Sequence, residues 1–204
     1  NTIAMLVGDT GSFKSTLAIG IAVCVQNSLP WHSLRTRACN VAIFNHEDGS
    51  GFKTRYLANV HHYEVNEPAL FWDSEVPNLL NTAEVNARIS AMKDAGIGLV
   101  VIDTLAHAIP GADENSAKDM GVAISNLIRI KQQLNATVLV VHHTGKDLSK
   151  GARGSSSLKA AVDTEISVTA SRGEVKLNQR KQRHCRIGDP LQLIAQEVPI
   201  DGTS

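Results

Sequence analysis

The chain has 204 residues, 43% hydrophobic and 20% charged, with a formal net charge of +0 at pH 7; this excludes a disordered or fibrous chain and leaves an ordinary core-forming domain. Zero net charge also excludes an overall basic field that would draw the protein onto nucleic acid, so any polyanion contact falls to local Lys and Arg patches. Cys24, Cys39 and Cys185 lack zinc-ligand or CxxC spacing, which argues against a disulfide framework and for a reducing, cytoplasmic setting. No apolar run reaches the roughly 18 residues that span a bilayer, so no membrane partner is expected. Asn1 and Thr2 enter a strand directly, from which a piece of a longer chain is expected.

In chain order, apolar runs of strand length alternate with segments of helical period, the pattern of a mostly parallel sheet with crossover helices. "TIAMLVG" is a predicted strand, "KSTLAIGIAVCVQN" a helix and "NVAIFN" a second strand. A helix over about 51–62, a short strand at "ALFW", a helix through "AEVNARISAMKDAG" and the strand "GLVVID" follow. A helix over about 116–134 leads into "TVLVVHH". After Asp163, "TEISVTAS", "EVKLNQR" and "LQLIAQEV" alternate in hydropathy between turn signals and predict antiparallel hairpins. One α/β domain is expected, with a core over 1–162 and a β-meander over 163–204 that extends the sheet.

"LVGDTGSFKST" stands between the first strand and its helix and follows the phosphate-loop template GxxxxGK[ST] at Gly8, Lys14 and Ser15. In that context the amides at the helix N-terminus face phosphates, aided by the helix dipole. Gly8, Asp9 and Thr10 start the cradle, and Gly11 and Ser12 add backbone donors. Lys14 bridges the β- and γ-phosphates, Ser15 ligates Mg²⁺, and Thr16 reaches the α-phosphate. Phe13 replaces the template's second glycine. It keeps its amide, so the loop tolerates it if the backbone there has negative φ and the ring points out of the nest.

Asp103 ends the strand "GLVVID", where nucleotides sit in such sheets, and is the candidate acid that holds Mg²⁺ opposite Ser15. Glu47 follows the second strand in "NHED" and is the candidate carboxylate for the attacking water, with Asp48 second. Trp31 and His32 lie in a loop and are assigned no function.

With these pieces placed, the chain resembles RecA-like P-loop ATPases of the AAA_25 group, near the plasmid RepA hexameric helicases and their phage and prophage relatives. The resemblance covers nearly the whole chain and rests on "GDTGSFKSTLA", "FNHEDGSGFKTR", "LVVIDTLAHAIPGADENSAKDM", "VLVVHHTGK", "GARGSSSLKAAVD" and "RKQR". It implies that Lys14 and Ser15 serve phosphate and magnesium, that Glu47 is catalytic, that Asp103 is the Walker B acid and that His143 senses the γ-phosphate. Arg153 is similar to the arginine that a neighbouring subunit places in trans. Lys181 and Arg183 have the spacing of an alternative Lys-x-Arg finger. Lys146, Lys150 and Arg153 lie in a loop that, by kinship, faces a central channel and single-stranded DNA. The implied activity is ATP hydrolysis at the interfaces of a hexamer, in helicase or DNA-remodelling work during replication of a mobile element. A nucleotide-gated loader with slow hydrolysis and a small-molecule phosphotransferase are the competing expectations.

Overall fold

Strands without a polar face require a sheet covered on both sides, and that is the arrangement of the computed structural model, which describes residues 1–46, 49–66, 70–114, 116–143 and 156–200. The strands are β1 (Ile3–Gly8), β2 (Asn40–Asn45), β3 (Phe71–Asp73), β4 (Ile97–Asp103), β5 (Thr137–His143), β6 (Thr164–Ser171), β7 (Glu174–Gln182) and β8 (Leu191–Ile194). The helices are α1 (Lys14–Gln26), α2 (Gly49–His62), α3 (Thr82–Met92), α4 (Leu105–Ala108), α5 (Ala117–Gln133) and α6 (Ser156–Ala161). All strands join one 8-stranded sheet in the order β3-β2-β4-β5-β1-β6-β7-β8. From β3 through β6 every neighbouring pair is parallel, and β6–β7 and β7–β8 are antiparallel.

Alternation along each strand divides the apolar side chains between two cores. Val100 and Ile102 of β4 pack with Val85 and Ile89 of α3 and Leu127 of α5 on one face. Leu99 and Val101 pack with Leu17, Ile19 and Val23 of α1 and Phe52 and Val60 of α2 on the other. Helix starts follow local chemistry: the Asn81 side chain accepts from Ala83 N and Glu84 N before α3, and that of Ser116 from Asp119 N before α5, satisfying amides that the helix leaves unpaired.

Three differences from expectation have local causes. The helix expected over 83–96 ends at Met92 in a 3₁₀ turn (Lys93–Ala95) closed by Gly96 at φ 62°, a conformation glycine adopts freely. The strand expected over 191–198 stops at Ile194: Ile194 pairs with Glu174, the first residue of β7, and the turn before it offers only Gly173 O, which Ala195 N takes. Finally, α4 and α6 are too short for a periodicity argument to find. Helix α6 precedes β6, which lies parallel beside β1 and antiparallel to β7, so β6 joins the two textures of the chain. Among the described residues, no helix is long and apolar enough to cross a membrane.

Candidate nucleotide site

The parallel strands all present their carboxyl ends at one edge of the sheet, where such folds bind ligands. β1 ends there in the phosphate loop. Gly8 is buried, and a Cβ on it would run into the Val168 carbonyl oxygen and lie 2.8 Å from Ser12 Oγ; the loop passes too close to β6 for any side chain. Ser12 closes the turn, its amide and hydroxyl donating to Asp9 O at 3.2 and 2.8 Å. Gly11 has φ +79°, and a Cβ placed on it would meet no atom within 4 Å, so its side of the loop faces open space. The first rung of α1 is Leu17 N donating to Phe13 O. The amides of Lys14, Ser15 and Thr16 lie ahead of that rung, which is the part of a helix that binds anions.

Phe13 corrects one expectation and meets the other. Its φ is 67° and ψ 15°, the left-handed conformation that the missing glycine would take, rather than a negative φ. The reason is geometric: the loop must reverse into α1 in one residue, and that conformation does it whatever the side chain, at about 1–2 kcal/mol for a residue with a Cβ. The ring does point outward, 40% exposed.

Lys14 is buried and donates to Asp9 O at 2.7 Å and Ser12 Oγ at 3.2 Å. An ammonium has three donors, so these two bonds aim it while a third N–H remains. Burial pushes the Lys14 pKa down, and the charges of Asp103 and Asp9 oppose that shift; β4, β5 and β1 lie side by side with Asp103 level with Val141 and Gly8 level with His143, which brings the carboxylate and the loop to one edge. Asp103 is 3% exposed. Its Oδ2 accepts from Asn45 Nδ2 at 2.9 Å, while the buried Oδ1 has no hydrogen-bond partner. A buried carboxylate oxygen with nothing to satisfy it is costly and is the donor a hard cation such as Mg²⁺ takes. The residues present thus fit a magnesium nucleotide.

His143 lies in register with Gly8 across β1 and β5. Burial lowers its pKa first, Lys14 adds to the shift, Asp103 opposes it and His107 adds to it again. Lys14, Asp103 and His143 are thus brought together. Glu47, Asp48 and Arg153 lie outside the described residues, as do Lys146 and Lys150. The residue before Glu47 is held at this edge, His46 N donating to Asp103 O at 3.3 Å.

Lys181 and Arg183 are placed elsewhere. Lys181 pairs with Glu165, which pairs with Met5, toward the opposite end of β1 from the loop. Its ammonium donates to Lys159 O and Ala160 O at 2.7 and 2.9 Å. Arg183 donates to Asp163 Oδ1 at 2.9 Å and Ala160 O at 2.8 Å. Both cations cap the carboxyl end of α6, where positive charge is favoured.

Two residues of the site were not anticipated. Asn45 orients Asp103, and its one signal is a polar residue closing the apolar strand "NVAIFN". The His107 ring lies 4.7 Å from that of His46 at a tilt of 43°, and its Nδ1 is 3.2 Å from Thr104 Oγ1; nothing in the sequence marks it.

His142 faces the other way, 2% exposed, with Nε2 lacking a partner. Burial, with His143 and Lys14 adding, pushes its pKa down to about 4. The unfolded chain therefore binds this proton more readily than the folded one between about pH 6.5 and 4. Stability is complete above that window and falls as pH drops through it, by on the order of 3 kcal/mol at about 1.4 kcal/mol per tenfold change in proton affinity. Urea midpoints at pH 7 and pH 4.5 check this, and His142→Phe should flatten the difference.

A parallel sheet whose first strand feeds a phosphate loop, and whose neighbouring strands end in a buried acid and a histidine, defines a RecA-like P-loop ATPase core. The AAA_25 family model, described as an AAA domain, matches residues 1–149, and the chain belongs to that family. No curated protein matches the chain. Among solved structures it is similar to the RadB recombinase, at 17% sequence identity and a TM-score of 0.66, over 95% of this chain and 86% of that one.

Proposed function

We propose that the protein is an ATP-hydrolysing motor that assembles as a homo-oligomer, in hexameric form, and acts on single-stranded DNA as a helicase or remodelling ATPase in replication of a plasmid, phage or prophage. The observation that carries the ATPase reading is the convergence of the phosphate loop, Asp103 and His143 at the carboxyl edge of the adjacent strands β1, β5 and β4. The amides from Gly11 to Thr16 and the Lys14 ammonium bind and orient the triphosphate. Asp103 and the Ser15 hydroxyl hold Mg²⁺, which when bound neutralises phosphate charge. Glu47 aligns a water and takes its proton as the water oxygen bonds to the γ-phosphorus and the bond to the ADP oxygen breaks. His143 hydrogen-bonds at the γ-phosphate and reports its presence to the segment that follows β5.

The trans cation is Arg153. Favouring it over Lys181 and Arg183 are the carbonyls and carboxylate that already hold those two. A cation supplied in trans makes specific activity depend on assembly. Phosphate release per protomer is expected to rise with protein concentration and further with added single-stranded DNA, and Glu47→Gln to bind ATP while losing turnover. A rate per protomer independent of both concentration and DNA would overturn the motor reading, and normal turnover by Glu47→Gln would remove Glu47 from its role.

A further inference from the structure

Beside the phosphate loop lies a cleft of about 200 Å³ that contains none of Lys14, Asp103 or His143. Its floor is the first turns of α1, and the ring of Phe13 forms the wall nearest the loop. Trp31, His32, His62 and Tyr63 add further aromatic lining, and Leu193 with the segment after it also lines the cleft. Trp31 and His32 meet edge to face at 4.8 Å, and the turn that presents them carries positive φ at His32 and Ser33.

We propose that Phe13 is a base platform: its ring, thrown outward by the left-handed backbone of the loop, stacks on the base of the nucleotide whose phosphates the same loop holds. The proposal rests on the ATP reading above and deepens it. Three features commit the cleft to a nucleobase. The cleft adjoins the loop, since Phe13 and Thr16, which flank Lys14 and Ser15, both line it, so an occupant tethered to bound phosphates arrives there at high effective concentration. The lining is rich in aromatic side chains, which suit any base, and includes the polar Asn59 and Gln196. And the volume falls below the roughly 300–1,000 Å³ of a site that encloses a whole small ligand, which suits one end of a molecule whose other end is held elsewhere. A glycine at this position would build the same cradle without strain, but it would leave this wall absent.

The test compares ATP with inorganic tripolyphosphate, which has the anion without the base. Calorimetric titrations use the full chain as wild type, Phe13→Gly and Phe13→Leu. Phe13→Gly removes the ring and the strain together; Phe13→Leu removes the aromatic face but keeps a side chain on the same backbone, so a change in loop geometry cannot account for an effect seen in both. ATP affinity is expected to fall roughly 5- to 100-fold in both variants, the range of one lost base stack, while tripolyphosphate affinity stays within about threefold of wild type. In a Trp72→Phe background, ATP but not tripolyphosphate should change the emission of Trp31. Binding of ATP that neither substitution weakens, an equal loss for both ligands, or a silent Trp31 overturns the platform and leaves the ATP reading standing. Binding of neither ligand by wild type overturns the ATP reading and the platform with it.

Discussion

Lys14→Ala is expected to lower ATP turnover at least roughly 10²–10³-fold, the range seen when one preorganised donor to a developing charge is removed, and to weaken ATP binding measurably by calorimetry. The size of the effect follows from where the ammonium sits. Lys14 is 4% exposed, and a charge is worth more to a phosphate in such a site than in water. Its bonds to Asp9 O and Ser12 Oγ fix it before substrate arrives, so little reorganisation remains at the moment of reaction. Alanine also leaves Asp103 buried without the cation whose charge opposes its own, which costs stability. A urea unfolding curve for the variant separates that loss from the catalytic one. A correctly folded Lys14→Ala protein with wild-type turnover would remove the phosphate loop from the mechanism.

The parts of this site that were legible in the sequence are those whose chemistry is local. Gly8, Lys14 and Ser15 occur at fixed spacing on one strand–turn–helix unit, and Asp103 ends an apolar run, so a reading of single segments finds them, whereas His143 is singled out only by the family resemblance. What escaped depends on register or on loop closure. Asn45 becomes a partner of Asp103 only because β2 and β4 align those two residues side by side. The φ of Phe13 is dictated by the path the chain must take into α1, so the negative φ set as the condition for tolerating a benzyl group there is not the one the loop adopts. Lys181 reads in the sequence as one end of a Lys-x-Arg finger, and its bond to the end of α6 is not foreseen because the carbonyl it caps lies 22 residues back. That helix begins at the end of a Gly- and Ser-rich stretch with no period to announce it. The two cores were legible from the unbroken apolar strands, whereas the point where β8 stops depended on where its partner begins.

Asp103→Asn is expected to separate two quantities that a merely structural acid would move together. An asparagine fits the site: its carbonyl oxygen can accept from Asn45 Nδ2 as Oδ2 does at 2.9 Å, and its amide fills the place of the unpartnered Oδ1. The sheet should therefore persist, with a small shift in the urea midpoint. The negative charge is lost, and with it the oxygen that suits a hard divalent ion. Magnesium-supported turnover should fall roughly 10²–10³-fold, and the magnesium concentration for half-maximal rate should rise. In excess chelator the sign reverses: a carboxylate beside Lys14 opposes a polyphosphate when no metal lies between them, so metal-free ATP should bind the variant as tightly as wild type or several-fold tighter. Calorimetry with and without magnesium reads both arms. Parallel loss of metal-free binding, magnesium-dependent turnover and the unfolding midpoint would instead make Asp103 a structural acid that pairs with Asn45, and the metal would have to be held by other residues.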